Sequence, residues 1–414
     1  MQNSIALAAP TPLRKELSDE VTTEIIHTYR GWDHFERKHG GPSIIDFDLS
    51  NVEGSATFTS REEVLSSLSE LHDRIDDTGG EQQFLRARLQ GSIAYLQELS
   101  GHKLPFSSYL ESTLGVKGKP FPAGEVKRAR HAVSDALKPY GLELRTEDRK
   151  RFESMLLIND PAAIQDGILG SKDVWLDRVR HAGIPVPKHI QLAVKHTEVD
   201  AYWSNWISNW SNGEAQKKIT LMINFHARKK YDRGRPLVLC LHEVCGHAAQ
   251  MSIWREQILS GRMNPACGLT VVHAPESVAV EGLAQCVPDL LSDDWEFPPE
   301  FTLSRALSYY TLVVLHNAHL MIYEGLPEKE ILGYACDQLP FSSRATLKNE
   351  LHDRKFNPLF RSYLLSYAIG EHTIKGLIEG MSSPQKRRFF FEMYTRPLTP
   401  SQLVEVGQSQ RIRD

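Results

Sequence analysis

The sequence predicts a mainly α fold: a large helical body, a short β-sheet beside one apolar helix, and a deep central cleft. Three observations predict it. Apolar residues recur at i, i+3 and i+4 over most of the chain, the period of a helix that buries one face. Two short runs rich in β-branched and apolar residues, Lys188 to Val194 and Lys218 to His226, stand just before an apolar stretch, Leu237 to Gln250. The chain has 414 residues, 41% hydrophobic and 24% charged, so core size is not limiting and the composition is that of a globular protein.

Taken in order, residues 1–18 read as a flexible lead. Residues 19–183 read as an N-terminal helical region, with helices expected over Asp19 to Lys38, Arg61 to Asp77, Glu81 to Ser100, Glu125 to Tyr140, Thr146 to Leu157 and Pro161 to Gly183. A Pro/Gly-rich link, Gly115 to Gly124, interrupts them. Residues 184–414 form a second region that opens with the two strand candidates. Between these, Tyr202, Trp203, Trp206 and Trp210 either line a groove or belong to a helix packing Trp206 and Trp210 into the core. Helices follow over Thr302 to Tyr323, Glu328 to Leu339, Pro358 to Glu379 and Pro384 to Tyr394.

Composition narrows the function classes. A net charge of −4 gives no reason to expect nucleic acid or an anionic membrane as partner. No stretch approaches the ~18 apolar residues of a membrane span, and the N-terminus lacks the basic region of a signal peptide, so a cytoplasmic protein is expected. The five cysteines are odd in number and show no paired spacing, which argues against a disulfide framework.

The chemistry concentrates in His242-Glu243-Val244-Cys245-Gly246-His247. Neutral imidazole is a favoured zinc ligand, and a carboxylate beside a ligand can reach water at a metal without binding the metal itself. The familiar zinc helix spaces its histidines at i and i+4. Here they are at i and i+5, which a regular helix would set roughly 140° apart. A π-bulge would return them to one face, and Gly246 tolerates such a distortion. A third ligand is needed, and Glu281 is preferred over its rival Glu276 because Gly282 and Ala284 leave room for a second helix to approach. Cys245 reads as a small packing residue.

Further candidates follow downstream. Arg305, Tyr309, His316 and His319 fall within roughly 80° of arc on one helix, a polar stripe that faces either the cleft or water. Tyr363 and Tyr367 share a helix face at i and i+4, and a tyrosine there can donate to an oxyanion. A terminal carboxylate could be held by Arg228, Arg233, Arg305 or Arg361.

These residues resemble the gluzincin-type zinc peptidases. They are most similar to a bacterial family catalogued as domain of unknown function eight-eight-five and described as peptidases, through His242, Glu243, Gly246, His247 and Gln250, then Glu281, Gly282 and Ala284, then Ser366, Tyr367, Ile369 and Gly370. Asn224 resembles an asparagine that precedes that family's motif helix. The histidine interval is one residue shorter than the family's, its proline is missing and Ala248 replaces a histidine. The shorter form is similar to the microtubule-associated tyrosine carboxypeptidase family, which also continues into E-G-L-A, as Glu281 to Ala284 do. The likeness covers about the C-terminal half.

The resemblance implies a zinc-dependent hydrolase of peptide or small amide substrates, carboxypeptidase-like in one form. His242, His247 and Glu281 would be the ligands, Glu243 the general base and Tyr367 the oxyanion donor. Asn224, Arg305, Tyr309, His316, Arg361 and Tyr363 are the expected substrate contacts, and the strand around Ile223 to Phe225 would pair with an extended substrate. The alternative is a metalloenzyme of small-molecule metabolism on the same scaffold, including a non-haem iron enzyme, since two histidines and one carboxylate also describe an Fe²⁺ facial triad.

Overall fold

Ser18 opens the first helix by accepting from the Val21 amide, and acids in the first turn with bases in the last complement the helix dipole of α1 (Asp19–Lys38). The computed structural model describes residues 17–412 apart from 78, 159, 200–202, 227–229 and 272. Most of the expected lead, with Tyr202 and Arg228, lies outside them. Strand β1 (Ile45–Asp48) follows α1, then α2 (Arg61–Arg74), α3 (Gly80–Leu99), α4 (Phe106–Leu114), α5 (Ala123–Leu137), α6 (Arg149–Leu156), β2 (Leu157–Ile158) and α7 (Pro161–His181). Helix α4 follows Pro105 and its short periodic run escaped the sequence reading; it buries Tyr109, Leu110 and Leu114.

The sheet that precedes the histidine motif has the order β3-β5-β4, with β3 (Leu192–Thr197) parallel and β4 (Asn205–Ser211) antiparallel to the central β5 (Glu214–Asn224). Strand β3 begins later than expected, since residues 188–191 stay in the loop after Pro185 and Pro187. The tryptophan-rich segment is a strand, not a helix. Its turn explains why: Asn212 and Gly213 both take positive φ, 55° and 79°, the conformation of a two-residue hairpin. Because β5 is flanked on both sides, it cannot accept an added strand at Ile223 to Phe225.

After β6 (Tyr231–Asp232), which pairs with β2, the chain enters one long helical run of three parts: α8 (Arg235–Leu239), a π-helical segment Cys240–Ala248, and α9 (Ala249–Leu259). Strand β7 (Leu269–Val271) then pairs antiparallel with β1. The remainder is helical: α10 (Glu276–Leu291), α11 (Pro299–Tyr323), α12 (Glu328–Gln338), α13 (Arg344–Phe356), α14 (Tyr363–Ile378), α15 (Ser383–Thr395) and α16 (Pro400–Ile412). Among the described residues no helix is long and apolar enough to cross a membrane.

The core does not divide at residue 183. Trp32 and Tyr29 of α1 pack in one cluster with Trp254 of α9, and Val133 of α5 packs with Val314 of α11. Buried ion pairs tie early to late chain as well: Arg88 Nε lies 2.5 Å from Glu276 Oε1, and Arg361 pairs with Glu98. Two of the closest approaches surround the motif. A Cβ on Gly370 would stand 2.3 Å from the Val278 carbonyl and 2.8 Å from Gly282, and one on Gly246 would meet the Ala284 Cβ at 2.7 Å. Glycine at these positions lets α14 and the π-segment press directly onto α10.

Candidate metal centre and cleft

The π-segment resolves the histidine spacing. Its i→i+5 bonding makes residues five apart neighbours along one face, so His242 Nε2 and His247 Nε2 are 3.2 Å apart with their rings nearly perpendicular at 86°. Gly246 serves mainly as the contact point for α10. That contact brings Glu281 over the pair, with its Oε2 3.3 Å from His242 Nε2 and 3.4 Å from His247 Nε2. The three donor atoms thus form a nearly equilateral triangle. Tetrahedral bonds of about 2.0–2.1 Å require donor separations of about 3.3 Å, so the triangle fits zinc. A second observation agrees: Glu281 Oε2 is buried and has no hydrogen-bond partner, whereas Oε1 accepts from the Tyr363 hydroxyl at 2.7 Å.

Glu243 is near enough to be grouped with the histidines, all three offering ligand atoms within 4.8 Å of one another. Its oxygen is nevertheless 3.9 Å from His242 Nε2 and accepts a hydrogen bond from Asn205 Nδ2 on β4. Glu281 is thus the carboxylate nearer to both histidines, and Glu243 stands beside the triangle. Glu276 is occupied by Arg88 instead.

Electrostatics bind the group together. Burial alone would raise the Glu281 carboxyl, but His247 and His242 hold it well below the usual range; burial would lower His247, and Glu281 raises it instead. Burial, and then the Glu281 charge, pushes the Tyr363 and Tyr367 phenols well up, so both are neutral donors at physiological pH. Their hydroxyls are 2.8 Å apart. Since Tyr363 donates its hydroxyl hydrogen bond to Glu281, its oxygen is the acceptor for Tyr367. The Tyr367 ring lies nearly parallel to that of His242, with centroids 6.1 Å apart.

The site opens into a cleft of about 560 Å³ walled by β1, β4, α10, α11, α13 and the start of α14. Of the residues expected to contact substrate, Tyr363 lines this cleft and the others do not. Asn224 is buried at the end of β5, bonding Val199 and Trp203 between β3 and β4 and His226 just after β5. Arg305 pairs with Asp289, Tyr309 donates to Glu125, His316 meets the Lys119 carbonyl and Arg361 is held by Glu98 and stacked on Tyr109. The polar stripe of α11 was expected to face either the cleft or water. It does not line the cleft: each of those groups has a partner within the protein, and the helix turns Ser308, Thr311, Leu312 and Leu315 to the cleft instead. Arg233 is exposed and does not line the cleft.

Other cleft residues lie outside the motifs. Trp203 and Trp206 line it, as the groove reading of the aromatic cluster expected, while Trp210 is buried with its indole N–H on Asp33. Asn205, Asp46 and Arg354 also line it. No spacing rule in the sequence marks them, because they converge from β4, β1 and α13. Burial and then the Glu281 charge push the Asp46 carboxyl well up. Gln250, shared with the peptidase-like motif, bonds the Met393 carbonyl and so anchors α9 to α15.

No family model matches this chain, and no curated protein is similar in sequence. Among solved structures, a presumptive lipoprotein from Colwellia psychrerythraea is similar at a TM-score of 0.56 and 16% identity, over 86% of this chain and 68% of that one. A presumptive lipoprotein of unknown function from Shewanella oneidensis aligns at a TM-score of 0.49 and 13% identity, over 85% of this chain and 71% of that one. The first likeness speaks to the fold alone.

Proposed function

We propose that the chain is a metal-dependent hydrolase of peptide or amide bonds, with zinc held by His242, His247 and Glu281. The observation that carries this reading is the triangle of donor atoms, 3.2, 3.3 and 3.4 Å apart, on the wall of a deep cleft. A bound zinc would supply Lewis acidity towards a substrate carbonyl and lower the pKa of water. Glu243 is the proton carrier, since it is buried beside the tripod without belonging to it, and Asn205 fixes its orientation. Tyr363 fixes Glu281, and Tyr367, freed from Tyr363 by a small rotation, is the donor to a developing oxyanion.

All five cysteines are free thiols, which suits a reducing compartment, so the proposed location is the cytoplasm. The same donor set also serves non-haem iron oxygenases. Elemental analysis of protein purified without added metal, beside Glu281→Ala, tests the assignment. About one zinc per chain in the parent and far less in the variant supports a hydrolase and justifies screening peptides and small amides. Iron in its place redirects the search to oxygen chemistry, and no metal in either, even after reconstitution, removes the proposal.

A further inference from the structure

Four arginines are buried among the described residues: Arg30, Arg88, Arg354 and Arg361. Three of them answer a carboxylate, Arg30 with Asp48, Arg88 with Glu276 and Arg361 with Glu98. Arg354 is different. It is 3% exposed, lines the cleft, and its Nε has no partner. Its Nη1 reaches only His319 Nδ1, at 3.3 Å. That imidazole donates through Nε2 to the Arg361 carbonyl, at 3.1 Å, so Nδ1 is an acceptor and the ring is neutral. Glu350, one helical turn earlier, is felt electrostatically but forms no ion pair with Arg354 among the described residues.

A guanidinium buried without a counter-charge is strongly disfavoured in a low-dielectric setting, and an incoming anion relieves it. We infer that Arg354 is the anion subsite of the cleft and that it takes the free carboxylate of a C-terminal residue. A planar fork of donors matches a carboxylate. Glu350, the acid that Arg354 feels, lines the same cleft, and its charge disfavours a dianionic phosphate beside it. Leu315, Leu347, Leu359, Phe360 and Leu364 line the same cleft, surroundings that suit an apolar side chain beside that carboxylate. The inference deepens the hydrolase reading and rests on it for the bond that is cleaved. Binding at Arg354 itself needs no metal.

The test therefore uses metal-free protein, prepared with a chelator, and calorimetric titration with N-benzoylglycyl amino acids from glycine to tryptophan, each as free acid and as carboxamide. The expected result is that an apolar free acid binds at least about tenfold more tightly than its amide, and that Arg354→Gln abolishes the difference. Arg354→Met should raise the melting temperature, since it removes an uncompensated buried charge; a lower melting temperature with lost helical signal would show a structural arginine and overturn the assignment. Equal affinity for acid and amide, no binding by any probe, or discrimination retained in Arg354→Gln would overturn it too. Tighter binding of benzyl phosphate than of any acid would replace carboxylate by phosphate. Failure to retain any metal, even after reconstitution, would sink the hydrolase reading while leaving these binding results intact.

Discussion

Glu281 does two jobs with two oxygens. One faces the histidines and the other accepts a hydrogen bond from Tyr363, so the carboxylate's orientation depends on a phenol in another helix. Tyr363→Phe should therefore weaken metal binding by about 10–100-fold while leaving the stoichiometry at saturation unchanged, as read by competition with a chromogenic chelator. Glu243 has the opposite profile. Being outside the donor triangle, Glu243→Gln should keep full metal content and lower kcat on any substrate found by about 100-fold or more. Full activity in that variant would end the general-base assignment. Asp46 and Arg354 add ionisable groups to the cleft that short motifs do not announce.

At the scale of elements, the site is a product of close helix approach. The π-segment sets the histidines side by side, and the glycines bring α10 and α14 onto it. Gly370→Ala inserts a methyl 2.3 Å from the Val278 carbonyl, backbone that cannot swing aside. It should cost about 1–3 kcal/mol of stability by denaturant titration and displace Tyr363 and Tyr367, with metal affinity falling alongside. Gly376→Ala, on the same helix with open space around it, is the control and should be neutral or slightly stabilising. The sheet contributes through β4, the strand that sets Asn205 on Glu243.

For the whole molecule, the interleaving of early and late chain predicts one cooperative unit with a particular acid sensitivity. Burial, then Arg88, lowers His273 to about 3, burial lowers His316 to about 4, and burial with Arg354 lowers His319 well below its usual value. In the unfolded chain each would titrate near ~6.5. Between that pH and the folded values the unfolded state binds protons that the fold refuses. These three histidines should therefore make stability fall as pH drops below about 6.5, opposed in part by His247, which burial would lower but Glu281 raises, and whose own contribution is lost as pH rises through its folded value. A melting temperature several degrees lower at pH 5 than at pH 7.5, measured in the presence of chelator, is the expected outcome. An unchanged value would mean that these histidines are hydrated or paired. The depressed Glu281 carboxyl adds a further loss only below its unfolded pKa of about 4.3.

The sequence by itself determined the helical character of the chain, and it singled out His242, His247 and Glu281, three side chains that the fold brings together. Helical period and caps are local properties, and His242, His247 and Glu281 could be chosen because few other residue types in an apolar setting bind a metal. Even the π-segment was legible, as the distortion that would bring histidines at i and i+5 onto one face. The Asn212-Gly213 turn was legible too, and reading it would have shown the tryptophan segment as a strand. What only the tertiary structure decided is which polar groups answer one another. Arg305, Tyr309, His316 and Arg361 carry the right chemistry for a substrate site, yet partners distant in sequence, Asp289, Glu125, Lys119 and Glu98, claim them. Arg354 is left without such a partner for the same reason: burial makes pairing obligatory, and pairing across sequence separations of this size is set by how the helices pack rather than by any pattern along the chain.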